Sequence, residues 1–168
     1  MKTFYFCLSI SIQCFFSPVV FAETITGWQE NAVLYLDNQA VMIEAKIDSG
    51  ADHSSLHATH IQYFERNAKP WVKFETFKQI KTELPLYKKT KIKTKRVGYQ
   101  QRPVVLISLC LAGIVQQVQM NLVDRAHFSK PLLIGRSALQ GFLINPRQTH
   151  LTDSKKCRDV DKSAFVLN

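Results

Sequence analysis

The sequence predicts an all-β, barrel-like domain with one short helix near its carboxyl end. Several segments of the 168-residue chain alternate apolar and polar residues or form short apolar runs, which are the patterns of half-buried and fully buried strands. Residues that favour turns separate these segments, and residues 137–140 fit a single helical turn. Many short strands with one late helical turn are typical of a β-barrel. The predicted strands span residues 33–36, 41–47, 61–65, 71–74, 103–111, 114–122, 132–134 and 142–144.

The first 22 residues have the pattern of a secretory signal peptide. Lys2 supplies a positive charge, an apolar run follows it, and Val20-Phe21-Ala22 fits a small-residue cleavage site. The alternative is an uncleaved membrane anchor, because the run is close to the shortest length that spans a bilayer. We expect cleavage, which divides the chain into a signal peptide (1–22), a folded domain (23–151) and a polar tail (152–168). The mature protein is then exported to the periplasm and has no integral membrane segment.

The chain is basic, with 22 lysine and arginine residues against 13 acidic residues and a formal charge of +9. This balance favours acidic partners, anionic surfaces or simple solubility. Nucleic acid is not an expected partner of an exported protein. Two of the four cysteines lie in the signal peptide. The other two, Cys110 and Cys157, either form a disulfide that ties down the tail or remain as one buried and one exposed thiol.

Residues 88–96 are rich in lysine. The alternate lysines from Lys89 to Lys95 share one face if the segment is a strand, and Ile92 is its single apolar residue. One interpretation is a solvated strand or loop whose charges protect a sheet edge from pairing. The other is a mobile flap whose cationic face meets an acidic substrate. Residues 98–102 are expected to be a flexible continuation of this segment.

The most informative stretch is an Asp-Ser-Gly tripeptide at the end of the second predicted strand. A strand end holds the carboxylate of Asp48 rigidly, the hydroxyl of Ser49 can fix the turn, and Gly50 leaves room for a second chain or a substrate. Asp-Ser/Thr-Gly is the active-site tripeptide of aspartic proteases, in which two carboxylates share one proton and activate a water. Later in the chain a second apolar strand, residues 132–134, runs into Gly135.

This two-part arrangement resembles the retropepsins, the single-lobed aspartic proteases. Their subunit has an early Asp-Thr-Gly-Ala-Asp stretch and an apolar-apolar-Gly-Arg-Asn segment that opens a late helix, which correspond here to residues 48–52 and 133–137. The chain is also similar, over about residues 26–151, to the bacterial family labelled putative ATP-dependent zinc protease, whose members are read as retropepsin-like aspartic proteases. The segments that carry this similarity are 46–51, 54–58, 64–66, 71–74, 102–105, 121–125 and 133–139.

The resemblance implies a closed retropepsin-like barrel and an aspartic endopeptidase that acts on peptides or proteins. Asp48 is the implied catalytic residue, and a homodimer supplies the second carboxylate because the mature chain has one Asp-Ser-Gly. Water is activated between the two aspartates, so no metal or other cofactor is required. Arg136 resembles the arginine that stabilises the retropepsin subunit interface, with solvation at a helix start as the alternative. The residues expected to support the site are Ser49, Gly50, Ala51, Asp52, Leu133, Ile134, Gly135 and Arg136.

Two other functions remain open from the sequence. The first is a non-catalytic module that binds peptides or the cell envelope. The second is a zinc-dependent peptidase that uses the clustered His53, His57 and His60, although the chain has neither an H-E-x-x-H motif nor a nucleotide-binding G-x-x-x-x-G-K-[ST] run. Asp124 is expected to form an ion pair with Arg125 in a turn, and not to be a second catalytic carboxylate.

Overall fold

The computed structural model describes residues 23–37, 39–94 and 98–157. It confirms the all-β prediction, since these residues form twelve strands and three short 3-10 helices, at Phe77–Gln79, Arg136–Ala138 and Ser154–Cys157. The predicted signal peptide, Lys95 and residues 158–168 lie outside the described residues. The strands are β1 (Thr24–Gly27), β2 (Gln29–Leu36), β3 (Gln39–Asp48), β4 (Ser54–His57), β5 (Thr59–Arg66), β6 (Lys69–Glu75), β7 (Lys81–Pro85), β8 (Lys88–Thr94), β9 (Gly98–Leu111), β10 (Ile114–Val123), β11 (Leu132–Gly135) and β12 (Phe142–Asn145).

Six strands close on themselves to form the centre of the domain. They are hydrogen-bonded in the order β10-β4-β11-β3-β2-β9, and β9 pairs in turn with β10. The pairs β3–β11 and β4–β10 are parallel, whereas the other neighbours in the ring are antiparallel. Closure leaves no unpaired edge within the ring. No helix in the described part of the chain is long and apolar enough to cross a membrane.

Alternating side chains fill this ring with one apolar core. On β3, every second residue from Val41 to Ile47 is buried, and the residues between them are exposed or half-buried. On β9, Val105, Ile107 and Leu109 lie in the same core, although Ser108 and Cys110 on the opposite face of the strand are buried as well. Because β3 leads directly from the core to its last residue, the strand holds Asp48 at one end of the ring.

The predicted late helix is shorter and begins earlier than expected. Residues 137–140 were the predicted turn, and the structure forms a 3-10 helix over Arg136–Ala138 with Gly135 as its N-cap. Gly135 is also the last residue of β11, so the helix starts as soon as the strand ends.

β9 is longer than predicted and forms a hairpin with β8 that extends from the ring. Residues 98–102 pair with β8 in a regular antiparallel register, in which Lys91 faces Gln101 and Lys93 faces Tyr99. The prediction that 98–102 is a flexible continuation is therefore wrong, because main-chain hydrogen bonds order a segment whose side chains are almost all polar. Within the lysine-rich segment, Lys88–Thr94 form a strand, which agrees with one of the two interpretations.

A second appendage is the three-stranded sheet β5-β6-β7. Its inner face packs Val72, Phe74 and Leu84 against the core of the ring. The sequence did not predict β1, β4 or β7. β4 is four residues long and begins with two serines, and β7 is a short strand that ends at a proline, so neither has the apolar pattern of a buried strand.

The beginning of the predicted polar tail is anchored to the domain through a buried carboxylate. Glu30 on β2 is fully buried, and its side chain accepts hydrogen bonds from the amides of Gly27, Leu151 and Thr152 at 2.7, 2.9 and 3.2 Å. The Thr152 hydroxyl donates a fourth, at 2.8 Å. These four hydrogen bonds replace the water that a buried carboxylate loses. Because three of them come from Leu151 and Thr152, they fix the chain that follows β12.

A disulfide fixes the next part of the tail. Cys110 on β9 and Cys157 are bonded, with 5.8 Å between their Cα atoms, which resolves the two alternatives that the sequence left open. The Tyr35 hydroxyl also donates a hydrogen bond to the Cys157 carbonyl at 2.7 Å. Thr152 to Cys157 therefore pack on the domain, although the sequence assigned them to the tail.

Candidate active site

The Asp48 carboxylate stands at the end of β3, where β11 pairs with it. In this parallel register Ile134 lies beside Ile47 and Gly135 beside Asp48. Asp48 Oδ1 accepts a hydrogen bond from the Gly50 amide at 3.1 Å, which orients the carboxylate over the turn. The side chain remains 31% exposed, so a second molecule can reach its other oxygen.

The loop after Asp48 is bonded to the segment that follows β11. The Arg136 amide donates to the Ala51 carbonyl at 2.8 Å, and the Ser137 amide donates to the Asp52 carbonyl at 3.1 Å. The loop also closes on itself, since the Ala51 amide donates to the Asp48 carbonyl at 3.2 Å. Two stretches that are distant in the sequence therefore form one rigid unit around the carboxylate.

Arg136 reinforces the same unit with its side chain. One guanidinium nitrogen forms an ion pair with the Asp52 carboxylate, and the other donates to the Ser49 carbonyl at 3.2 Å. Both charged side chains are largely exposed, so the pair contributes little to stability by itself. Its geometric effect is to hold the Ser49 backbone and the Asp52 side chain at the surface beside Asp48.

Two buried serines on β4, Ser54 and Ser55, contact the residues around the site, and neither was among the predicted site residues. Ser54 Oγ accepts a hydrogen bond from the Gly135 amide at 3.1 Å. Ser55 Oγ accepts one from Arg125 Nη1 at 2.8 Å. Ser54 thus fixes the residue that pairs with Asp48. Two adjacent serines in a short polar stretch give no pattern from which this role can be read.

Arg125 is buried close enough to Asp48 for their charges to interact. Burial lowers the pKa of the guanidinium, the charge of Arg102 lowers it further, and the Asp48 carboxylate acts in the opposite direction. Arg125 Nε donates to the Lys130 carbonyl at 3.1 Å. Lys46 is a second cation near the site, with Nζ 3.8 Å from Asp48 Oδ2. Two cations, Arg125 and Lys46, are therefore close enough to stabilise a negative charge on Asp48.

The prediction of an ion pair between Asp124 and Arg125 is wrong. The Arg125 side chain turns inward to Ser55, whereas Asp124 is exposed and lies 3.5 Å from His57 Nδ1. Asp124 also accepts a hydrogen bond from the Ala126 amide at 2.9 Å. A buried hydroxyl and a carbonyl satisfy the guanidinium better than a solvated carboxylate in the same turn.

The three candidate zinc ligands do not form a site in the part of the chain that the structure describes. His57 Nδ1 already accepts a hydrogen bond from the Arg125 amide at 2.9 Å. His60 lies on β5, is largely exposed, and is 3.7 Å from Glu75. No group of three or more histidine, cysteine, aspartate or glutamate side chains comes together among the described residues.

A family model described as retropepsin-like aspartic endopeptidase RimB matches residues 25–155. The chain belongs to the RimB-like family of retropepsin-like aspartic endopeptidases. The matched residues include both halves of the site, the Asp48 turn and β11 with Arg136. The family match agrees with the retropepsin resemblance seen in the sequence.

Three proteins illustrate the similarity. A solved structure from Legionella pneumophila, of unknown function, is 31% identical, covers 79% of this chain and 100% of its own, and has a TM-score of 0.67. A probable α-L-glutamate ligase of Shewanella pealeana is 28% identical over 71% of this chain, and one of Desulfotalea psychrophila is 32% identical over 61%. These segments are 28% and 24% of the ligases, so the chain spans about a quarter of the curated relatives that it matches. These relatives are named as ligases and not as zinc proteases.

Gly135 provides a test of how closely the two halves of the site pack. A Cβ at this position would lie 2.6 Å from the His53 carbonyl group and 2.9 Å from the Ala51 oxygen. Gly135→Ala should therefore destabilise the protein by about 1–3 kcal/mol, the usual cost of overpacking. Gly50→Ala is the matched comparison, because its Cβ would meet a single atom, Asp48 Oδ1, at 3.3 Å.

Thermal melting followed by circular dichroism measures both variants. We expect a clearly lower melting temperature for Gly135→Ala and a nearly unchanged one for Gly50→Ala. Equal melting temperatures for the two variants would show that the loop and β11 are not held as described.

Proposed function

We propose that this protein is an aspartic endopeptidase whose active unit is a homodimer with one Asp48 from each subunit. The observation that carries the proposal is the pairing of β11 with β3, which fixes Asp48 and Gly135 side by side and leaves the carboxylate partly exposed. Membership of a retropepsin-like endopeptidase family supports it. The chain contains one Asp-Ser-Gly, so a second copy is the natural source of the second carboxylate.

In the proposed mechanism a water lies between the two Asp48 carboxylates. One carboxylate takes a proton from this water as general base, and the other, which is protonated, donates to the oxygen of the scissile carbonyl. The attacking water and the protonated carbonyl form a tetrahedral intermediate, whose collapse breaks the C–N bond as the amine takes up a proton. Because the two carboxylates share one proton, their titration belongs to the pair and not to either residue.

The ligase name of the curated relatives does not conflict with this proposal. Those proteins are about four times as long as the matching segment, and their name describes the whole chain. This chain has no G-x-x-x-x-G-K-[ST] run of the kind that cradles a nucleotide. We therefore assign the segment shared with them a hydrolytic site.

The β8–β9 hairpin is the proposed substrate flap. Lys91 and Lys93 are exposed on β8, and the described residues give neither of them an ion-pair partner. Tyr99, opposite Lys93, is 70% exposed. A cationic strand with an exposed aromatic side chain favours an acidic peptide substrate. The lysines attract the peptide as it approaches, and they complement its charge once it is bound.

We also propose that the protein is exported after removal of residues 1–22. The disulfide between Cys110 and Cys157 supports an oxidising compartment, where such bonds persist. N-terminal sequencing of the protein from a periplasmic extract should begin at or near Glu23. Recovery of intact Met1 from the membrane fraction would contradict export with cleavage.

Mixing active and inactive subunits tests the shared site. Asp48→Asn keeps the shape of the side chain and removes its acid–base function, so the pure variant should lose roughly 100-fold or more of its peptidase activity. When wild type is mixed with an excess of the variant and allowed to exchange subunits, activity should fall with the square of the wild-type fraction. Activity that falls in simple proportion to that fraction would mean that each chain works alone.

The substrate flap generates a separate prediction. Replacing both Lys91 and Lys93 by glutamine should raise KM for an acidic peptide severalfold and flatten its dependence on salt, because two steering charges are lost. The melting temperature should hardly move, since neither side chain is buried. Lys155→Gln with Lys156→Gln is the matched control, as it removes two exposed lysines elsewhere. Equal KM values in the two double variants would exclude a steering role for the hairpin.

A further inference from the structure

A large cavity in the described part of the chain has a lining that does not include Asp48. Its volume is about 880 Å³, within the range of ligand-binding pockets, and it follows β7 from Lys81 to the residues after Pro85. Asp37, which follows β2, and Leu106 of β9 also line it. Asp37 precedes β3 and Asp48 ends it, so the length of a ten-residue strand, about 30 Å, separates the Asp37 wall of the cavity from the proposed catalytic carboxylate.

β7 presents an unpaired strand edge to this cavity. β7 is the last strand of its sheet and pairs only with β6 among the described strands. The Leu86 amide donates to the Pro70 carbonyl, directly opposite on β6. In an antiparallel pair every second residue makes such hydrogen bonds, so on β7 the even-numbered residues are the ones bonded to β6. The main-chain N–H and C=O groups of Lys81 and Glu83 therefore point away from β6. No main-chain partner for them occurs among the described residues.

The side chains around this edge differ between the two faces of the sheet. On the outer face Lys81 is exposed, and Glu83 forms ion pairs with Arg66 at 2.5 Å and Lys73 at 3.3 Å. Lys69 adds a fourth cation to the wall of the cavity. The charges that line the cavity thus sum to an excess of positive charge, because Asp37 and Glu83 are its two carboxylates.

The inner side of the edge is apolar. Leu84 is buried there, and Leu86 and Leu106 are half-buried and line the cavity. On this side the Thr82 hydroxyl donates a hydrogen bond to the Asp37 carboxylate. A strand added beside β7 would therefore place alternate side chains against Lys81 and the ion-paired Glu83 on one face, and against Thr82 and Leu84 on the other.

We propose that the β7 edge is a second peptide-binding site, in which an extended peptide with alternating acidic and apolar residues adds a strand to the sheet β5-β6-β7. The main-chain groups of Lys81 and Glu83 pair with the peptide backbone, as in other cases of strand addition. The acidic side chains of the peptide lie on the face of Lys81, where Arg66 and Lys73 already pair with the Glu83 carboxylate. Its apolar side chains enter the space beside Leu84 and Leu106. This site is separate from the proposed peptidase site and does not depend on catalysis.

A pair of substitutions at one position tests the main-chain contact. Glu83→Pro removes the outward N–H, and proline is tolerated at an edge position that gives no hydrogen bond to the neighbouring strand. Glu83→Gln is the matched control, because it loses the same charge and keeps the N–H. Both are made in the Asp48→Asn background, so that the probe is not cleaved, and both are checked for folding by thermal melting.

The probe is a fluorescein-labelled nonapeptide of alternating glutamate and valine, measured by fluorescence anisotropy. It should bind the Asp48→Asn protein, and Glu83→Pro should weaken binding about fivefold relative to Glu83→Gln, the effect of one lost hydrogen bond. A peptide with lysine in place of glutamate should bind far more weakly. If Glu83→Pro fails to fold, hydrogen exchange replaces it: the Lys81 and Glu83 amides of the Asp48→Asn protein should exchange more slowly when the acidic peptide is bound.

Several results would overturn the proposal. Equal affinities of the two Glu83 variants, or unchanged exchange at Lys81 and Glu83, would show that the edge does not pair with the peptide. If replacing Lys91 and Lys93 by glutamine abolished binding, while Glu83→Pro and Glu83→Gln bound the peptide equally well, the peptide would lie in the flap of the catalytic site. A change in sedimentation between Glu83→Pro and Glu83→Gln in the absence of peptide would mean that a second copy of the chain occupies the edge.

Discussion

The parallel pairing of β11 with β3 is the constraint on which the site depends. Parallel neighbours need a long connection, and here the chain makes β4 to β10 before it returns to lie beside β3. The register puts Gly135 next to Asp48, and at this position a side chain would collide with the loop that follows the aspartate. A carboxylate at the end of a buried strand, backed by a second buried strand, has little freedom to move. Such fixed groups are what acid–base catalysis requires.

Most of the fold could be predicted from local patterns. β3, β9, β10 and β11 carry the alternation or the apolar run that a strand in a core needs, so their residues were recognised in the sequence. β4 and residues 98–102 were missed because their main-chain hydrogen bonds, and not their side chains, define them. Local patterns do not report which distant strand supplies a backbone partner.

The residues of the candidate site also fall into those that local sequence patterns predict and those that they do not. The Asp48 turn and the segment from Leu133 to Arg136 stand out because aspartate, a small hydroxyl residue and glycine have specific chemical uses. The serines of β4 and the inward turn of Arg125 could not be found, since each depends on a partner that is distant in the sequence. The error at Arg125 is instructive: an adjacent aspartate was the obvious partner, but a buried hydroxyl and a carbonyl satisfy the guanidinium instead. Burial, which the sequence does not show, decided between them.

The proximity of two Asp48 side chains is the central claim, and cross-linking measures it most directly. A protein that comprises residues 23–168 is prepared with Asp48→Cys and treated with a mild oxidant or a short bismaleimide. Its native cysteines are already joined to each other. The shared site predicts rapid formation of a covalent dimer through position 48, and little with Glu44→Cys, an exposed residue four positions earlier on β3. Cross-linking at position 48 no faster than at position 44 would contradict the account.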